Sequence, residues 1–475
     1  MMVVPRIKWI ILVFMFMAIL SSHSAPSTSN SKKKTRILNI AVIGAGASGL
    51  AATKRSLDEG HNVTVYEQGE AVGGIWFYTD KIGKDEYGIN IHTPMYQGLR
   101  TNSPYQTMEF PGYSYPNNTP SYPTQKLVLE YLNSYADYFK LNEHIKCHHP
   151  VIKVSPVKSP NIQRTKWILT LRDLAKNKTV ESEVYDAVFV CTGVASSPNI
   201  PKIPGNDTFN GKIIHSHDYR RADAFKGENV LVIGGGASSN DILDQLINVA
   251  NQVTCSQRSD QDGMSEEDTE TYEISLKTTD EQIVTYKDDV KCLTPNGAKF
   301  IDDTEQNFTV IIYATGYRYS FPFLGEEIGI SIDENCVEPL YKQILNIKYP
   351  TMAFIGIPQV AVNNRMYDLQ AHFALQFISG AIKMPKETEM MVDTIVQTQH
   401  HLNQGFRKKE MHILGLEHKK YYKVIAETAK IENIPDVIAD IFTDALGSLL
   451  TDPMEFRKYK YIIKDDKTAL KLKEK

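Results

Sequence analysis

Only five cysteines occur in 475 residues, and no two of them form a C-x-x-C pair. That excludes a dithiol redox centre and a cysteine-rich zinc site. The count is also too low for a disulfide framework in a chain of this length. Cys147, Cys191, Cys255, Cys292 and Cys336 leave room for one long-range bridge in an oxidising compartment, and their spacing does not choose the pair. A basic excess is missing too. The formal charge of −4 argues against a nucleic-acid partner, because such domains carry a marked positive excess. Mean hydropathy is −0.30, which excludes a polytopic membrane protein. Hydrophobic residues at 42% and charged residues at 23% are ordinary globular values and exclude a disordered chain, a collagen-like repeat and a simple coiled coil. No metal site is expected: His148-His149 and His400-His401 are adjacent pairs, and neighbours in sequence do not share a helix face.

What is present begins with grease. Arg6 and Lys8 precede a twelve-residue apolar run, Trp9 to Leu20, followed by Ser22 and Ser24 at the small-residue positions before Ala25. This layout is that of a cleaved signal peptide, residues 1–24, with a polar tail over 25–36. A membrane span would need about 20 apolar residues. The protein is therefore expected to be secreted, with the lumen of the endoplasmic reticulum as the alternative. Sequons at Asn62, Asn117, Asn177, Asn206 and Asn307 suit a glycoprotein, though Asn62 opens an expected strand.

Ile37 to Ile43 is a continuous apolar strand signal that runs into Gly44-Ala45-Gly46-Ala47-Ser48-Gly49. Leu50 to Leu57 has helical spacing, Gly60 closes that helix, and Asn62 to Tyr66 is a second strand ending at Glu67. Strand, G-x-G-x-x-G, helix, strand and acid together make a complete dinucleotide-binding unit. Gly44 permits the tight turn, Gly46 lets the backbone approach a pyrophosphate, and Gly49 lets helix and strand pack closely. The free N–H groups at the helix start receive phosphate. Glu67 suits ribose hydroxyls, so this unit should take FAD or NAD.

A second unit follows. Glu228 to Ile233 is a strand, Gly234-Gly235-Gly236-Ala237-Ser238-Ser239 a turn, Asn240 to about Ala250 a helix, and Gln252 to Ser256 a strand. Gln257 stands at the position equivalent to Glu67, beside Arg258. Loss of the acid next to an arginine favours a 2′-phosphate, hence NADP. Two dinucleotides on one chain suggest electron passage from NADPH to a flavin, in a reductase or an oxygenase.

Further motifs narrow the class. Glu67 to Trp76 spells E-x5-G-G-x-W through Gly73, Gly74 and Trp76, a second FAD signature. Asp186 to Gly193 (DAVFVCTG) and Val310 to Tyr317 (VIIYATGY) are strand-to-glycine turns that bracket the second unit as hinges. Phe209 to Tyr219 spells F-x-G-x-x-x-H-x-x-x-Y through Gly211 and His215. With these motifs the sequence, from about Ile37 to Leu375, resembles the flavin-containing monooxygenases. Tyr219 rather than Trp favours the N- and S-oxygenating branch over the Baeyer–Villiger enzymes. The leader and the stretch GLRTNSPYQTMEF resemble the insect type, the secreted senecionine N-oxygenase group in particular.

The resemblance implies an α/β fold of two Rossmann-like dinucleotide-binding domains. The NADPH domain, 199–317, is inserted between the two parts of the FAD domain, 37–198 and 318–475. It implies that NADPH reduces FAD, that O2 then forms a flavin C4a-hydroperoxide, and that a tertiary amine or sulfide takes one oxygen. Toxic plant alkaloids such as senecionine are the suggested substrates. A broader S/N-oxygenase and a secreted flavoprotein without turnover are the alternatives. Asn102 matches the family's asparagine near the flavin and NADP⁺, where an amide can donate and accept. Ile75, Trp76, Asn102 and Ser103 should touch FAD. Thr101 and Asn102 should touch NADP⁺, with Ser238, Ser239, Asn240 and Asp241 at its phosphates. His215 and Tyr219 are expected to pack rather than to move protons. The chain ends DDKTALKLKEK after helices expected at Glu387–Leu402, His418–Lys430 and Val437–Leu449. No membrane anchor is expected after signal cleavage, and a homo-oligomer stays open.

Overall fold

The computed structural model describes residues 36–257, 284–452 and 455–474. The residues read as a signal peptide, most of those read as a polar tail, and Arg258 lie outside the described residues.

Four strands open the fold: β1 (Asn39–Ile43), β2 (Asn62–Tyr66), β3 (Ile145–Lys146) and β4 (Ala187–Val190), all paired in parallel. β1 lies between β2 and β4, and its residues from Ile40 onward are buried, as are all of β4. Strands covered on both faces read as continuous apolar runs, which is why the sequence betrays them. The chain then builds a second parallel sheet from β5 (Lys212–His215), β6 (Asn229–Ile233), β7 (Gln252–Ser256), β8 (Thr285–Lys287) and β9 (Val310–Tyr313) in the order β8-β7-β6-β9-β5. It returns to the first sheet with β10 (Leu340–Tyr341), β11 (Leu345–Asn346) and β12 (Met352–Phe354), giving β10-β11-β12-β4-β1-β2-β3.

The two crossings are tied to each other. Ser197–Pro198, on the way out, pairs antiparallel with Tyr317–Arg318, on the way back. Asn199 fastens them: its N–H donates to Gly316 O at 2.9 Å, its Nδ2 donates to Thr315 O at 3.2 Å, and its own carbonyl accepts from the Thr315 hydroxyl at 2.6 Å. β9 ends at Tyr313 and the chain turns at Gly316 (φ +77°), as a strand running into a glycine turn.

Helices cover the first sheet: α1 (Ala47–Asp58), α2 (Gln125–Tyr138), α4 (Asn363–Ile378), α6 (His418–Ala429) and α7 (Asp436–Thr451) contribute to one continuous apolar core with β1 and β4. α3 (Ala237–Leu246) lies on the second sheet, in a separate core with β6 and β9. α5 (Glu387–Asn403) buries little beyond Met390. An antiparallel three-stranded sheet, Val151–Val157, Lys166–Asp173 and Lys178–Glu181, covers the other face of the first sheet with the fully buried Trp167. A hairpin, Tyr459–Ile463 with Ala469–Lys473, follows α7. None of the five cysteines is bridged. Among the described residues, no helix is long and apolar enough to cross a membrane.

Both helices after the glycine turns start earlier than expected. α1 begins at Ala47 rather than Leu50, and α3 at Ala237 rather than Asn240. In each, the extended glycine before it (Gly46, Gly236) is the N-cap. The first turn is built of small residues, so no apolar period marks it.

Candidate functional site

The first cleft opens where the strand order reverses, beside the C-terminal ends of β1 and β4. Such a switch point is where open α/β sheets take ligands. Gly44 (φ +103°) sits so close to Cys191 that a Cβ on it would stand 2.6 Å from the Cys191 carbonyl oxygen. A Cβ on Gly49 would stand 2.0 Å from Gly44 O, and one on Gly74 (φ +55°) 2.9 Å from Gly46 Cα. The G-x-G-x-x-G turn and the later G-G pair are thus pressed together by backbone alone. Gly46 carries no side-chain cap, and no acid occupies the first turn of α1. The N–H groups of Ala47, Ser48 and Gly49 therefore face an anion site without competition. Glu67 is buried, its carboxylate accepting the Ala45 N–H and the Gly69 N–H, both at 2.7 Å. It braces the turn, and each oxygen keeps a lone pair for a ribose. The cleft has a volume of about 640 Å³ and includes Gly44, Gly46, Glu67, Gly74, Ile75 and Trp76. The buried hydroxyl of Thr192, in the cleft wall, has no hydrogen-bond partner among the described residues.

The second unit repeats this geometry. Gly234 N donates to Ser256 O at 2.9 Å as Gly44 N donates to Tyr66 O at 2.8 Å. A Cβ on Gly234 (φ +137°) would stand 2.3 Å from Ala314 O, whereas one on Gly236 would meet open space. α3 again has no side-chain cap and no acid in its first turn. Ser239 is fully buried, its hydroxyl 3.9 Å from Cys255 Sγ. Its side chain packs the helix to β7, leaving its N–H as the group that can reach a phosphate. Ser238 and Asn240 are half-buried.

Between the units lies a smaller cleft of about 220 Å³, bordered by Trp76, Thr101, Asn102 and Ser103 on one side and by Ser238 and Asp241 on the other. Trp76 borders both clefts. Asp241 does not reach toward phosphate: it accepts from the Tyr96 hydroxyl at 2.8 Å and pairs with Arg457 at 3.4 Å. Burial and Asp241 push the Tyr96 phenol well above its ordinary range, so it stays a donor. Burial, with Asp241 near, lifts Asp244 to about 6 against the pull of Arg457.

His215 and Tyr219 are packing residues. Burial lowers His215 to about 4, and its Nδ1 accepts from the His217 N–H at 3.0 Å. Tyr219 is fully buried and donates to Gln245 Oε1 at 3.0 Å. Arg220, next in the chain, donates to the carbonyls of Lys81, Thr93, His217 and Tyr219, joining this element to the first unit.

One residue of the junction has no motif to announce it. Arg457, in a short turn between α7 and the final hairpin, donates from Nη2 to Asn102 Oδ1 at 2.7 Å. It lies hundreds of positions from every fingerprint, in a stretch whose only pattern is scattered charge.

Two phosphate-ready helix starts, each beside a strand-end carbonyl that only glycine can approach, define a dinucleotide-dependent oxidoreductase with two cofactor sites. The residues fit FAD in the larger cleft: bare backbone for the pyrophosphate, a buried acid for the ribose and an unpartnered hydroxyl in the wall. The chain belongs to the flavin-binding monooxygenase-like family, which matches residues 37–281 and 278–451, and it is an enzyme. Members of this class work with FAD and NADP(H). The chain is 35% identical to senecionine N-oxygenase of Tyria jacobaeae over 460 residues, 95% of either chain. It is 35% identical to flavin-containing monooxygenase FMO GS-OX-like 2 of Arabidopsis thaliana over 387 residues, 79% of either. The solved structure of S-allyl-L-cysteine S-oxygenase from Allium sativum superposes with a TM-score of 0.79 at 28% identity, covering 89% of this chain and 95% of that one.

Proposed function

We propose that this enzyme uses NADPH and O2 to convert tertiary amines to N-oxides, with alkaloids such as senecionine among its substrates, as a secreted detoxifying enzyme. The observation that carries this reading is the junction cleft, where Trp76 and Asn102 from the flavin side meet Ser238 and Asp241 from the start of α3. A reduced nicotinamide and a flavin must meet at such a place. Bound FAD supplies the activation of O2, chemistry that no side chain can. Identity over nearly the whole length of an insect N-oxygenase supports the substrate class.

The chain's own groups have separable tasks. The turn from Gly44 through Ala45, Gly46, Ala47 and Ser48 to Gly49 holds the FAD pyrophosphate, Glu67 its ribose, and Gly74, Ile75 and Trp76 its flavin end, with Thr101 and Ser103 beside Asn102. Gly234, Gly236 and the free N–H groups of Ser238 and Ser239 take the NADP⁺ phosphates, with the Asn240 side chain beside them, and Arg258 the 2′-phosphate. Asn102 is the catalytic residue, donating from its amide into the junction. In this scheme the NADPH domain spans 199–317 and interrupts the FAD domain, 37–198 and 318–475. The leader over 1–24 directs secretion.

The test is a panel of tertiary amines with the purified yellow protein and NADPH, with N-oxide detected by mass spectrometry. NADPH consumed with N-oxide formed is the expected result, and failure of NADPH to bleach the flavin overturns it. The likeness to an S-oxygenase structure favours a second reading, oxygenation of sulfides at the same cleft. Sulfoxide without N-oxide in that assay would select it.

A further inference from the structure

We infer that Arg457 is a positioning residue that fixes the amide of Asn102, tying its oxygen so that its Nδ2–H2 group is turned to the junction cleft. The inference rests on the functional reading of Asn102 given above.

The chemistry of the pair decides the orientation. An arginine has donors only, so the atom 2.7 Å from Arg457 Nη2 must be the amide oxygen. The nitrogen then points away from Arg457, and it has no hydrogen-bond partner among the described residues. Asn102 borders the cleft, so what it offers there is a pair of N–H donors. The amide can donate and accept; the bond to Arg457 takes one lone pair of its oxygen and fixes which end of the amide is turned toward Arg457.

Arg457 is itself held on several sides. Its Nε donates to Thr101 O at 3.2 Å, and Nη2 also donates to Arg100 O at 3.3 Å. Nη2 is 3.4 Å from Asp241 Oδ1, and Asp241 is held in turn by Tyr96. The guanidinium lies over the Phe456 ring at 4.9 Å, and that buried ring meets Tyr122 edge-on at 5.3 Å. The planar fork thus spans the 100–102 loop of the first unit and α3 of the second. Lysine, with one point charge, cannot make these contacts together. A group fixed before reaction costs no reorganisation during it.

If Arg457 acts through Asn102, its loss should matter only while Asn102 is present. We would compare the wild-type holoenzyme, Arg457→Ala, Arg457→Lys, Asn102→Ala and the double variant. Flavin content would be the folding control. The readout is coupling: N-oxide and hydrogen peroxide formed per NADPH at saturating amine. In the leak, NADPH, a proton and O2 give NADP⁺ and hydrogen peroxide, so the two products share the electrons. Arg457→Ala should lower the N-oxide share roughly fivefold or more and raise peroxide to match, with Arg457→Lys between it and wild type. Arg457→Ala should add nothing in the Asn102→Ala background, the non-additivity expected of groups in one network. Unchanged coupling, or additive losses, overturns the inference. Should Arg457→Ala lose its flavin, Arg457→Lys against the same Asn102→Ala background carries the comparison. Peroxide release without amine reports on the pair even if the enzyme makes no N-oxide, so failure of the substrate reading is told apart from failure of this one.

Discussion

Gly44 lies so close to Cys191 that a Cβ on the glycine would stand 2.6 Å from the cysteine's carbonyl oxygen, and Gly234 repeats the relation with Ala314 at 2.3 Å. The oxygen belongs to the backbone just past the neighbouring strand, so nothing can swing aside. Both glycines have positive φ, +103° and +137°, and strain of this kind costs about 1–3 kcal/mol per residue. Gly44→Ala should therefore give a protein that loses its yellow colour on gel filtration. Gly234→Ala should keep the flavin but raise KM for NADPH by roughly 5–150-fold, the factor that 1–3 kcal/mol represents. Flavin absorbance with NADPH titration checks both. Loss of flavin from Gly234→Ala would show that the two clefts are not independent.

Asn102→Ala should retain FAD, because Asn102 borders the junction cleft and is absent from the wall of the larger one. N-oxide formation should fall by about 10²-fold, the usual loss when one preorganised donor is removed. Rapid mixing with NADPH followed by product analysis separates the steps. Unchanged product yield would remove Asn102 from the mechanism.

Much of this site can be read directly from the sequence, and the reason is physical. A fingerprint is local: Gly44 to Gly49 and Gly234 to Ser239 fold from their own backbone demands, and β1, β4, β6 and β9 show as apolar runs because both faces of each are covered. The two crossings between the sheets are legible as strand-to-glycine turns. Their pairing through Asn199 is not, since its partners Thr315 and Gly316 lie 116 residues or more away. Arg457 is illegible for the same reason. α2 and α4 pass unnoticed between motifs, although α4 buries Met366, Phe373 and Phe377 against the first sheet's core. The role expected for Asp241 also changes, because its carboxylate is engaged by Tyr96 and Arg457 rather than turned to a phosphate.

Cofactor choice at the second unit turns on the end of β7. Gln257, where an acid would read a free 2′-hydroxyl, has its side-chain oxygen 2.9 Å from where a Cβ on Gly235 would lie, and so stands against the glycine turn. Arg258 follows it in sequence. Arg258→Ala should raise KM for NADPH at least about tenfold while leaving that for NADH little changed, as loss of one charge-assisted contact of 1.5–3 kcal/mol requires. Steady-state oxidation of the two nucleotides measures this directly. Equal effects on both would refute a role at the 2′-phosphate.

The helix that presents the first phosphate site is seated on α4 by a contact whose protonation is unusual. Glu59 Oε1, at the end of α1, lies 3.4 Å from His372 Nε2 on α4. Burial lifts Glu59 to about 7, with Arg55 opposing and Asp368 adding to the rise. Burial and Arg55 bring His372 down to about 4. Between those values the carboxyl is protonated and the ring neutral, so the contact is not an ion pair. The raised acid makes the native state bind an extra proton, so its stabilising share is complete below about 4.5 and is lost as pH rises through about 7. The depressed histidine acts oppositely, its share being lost as pH falls from about 6.5 toward 4. Below 6.5 the two largely cancel, and above it the cost of the Glu59 charge stands alone. Glu59→Gln mimics the protonated acid. With 21% of the Glu59 side chain exposed, the substitution should stabilise by about 1–2 kcal/mol at pH 8, from ~1.4 kcal/mol per pKa unit discounted for solvent. Urea unfolding at pH 8 and pH 4.5 should show that gain at the first and little at the second. A variant no more stable than wild type at pH 8 would mean that Glu59 carries its charge there without penalty.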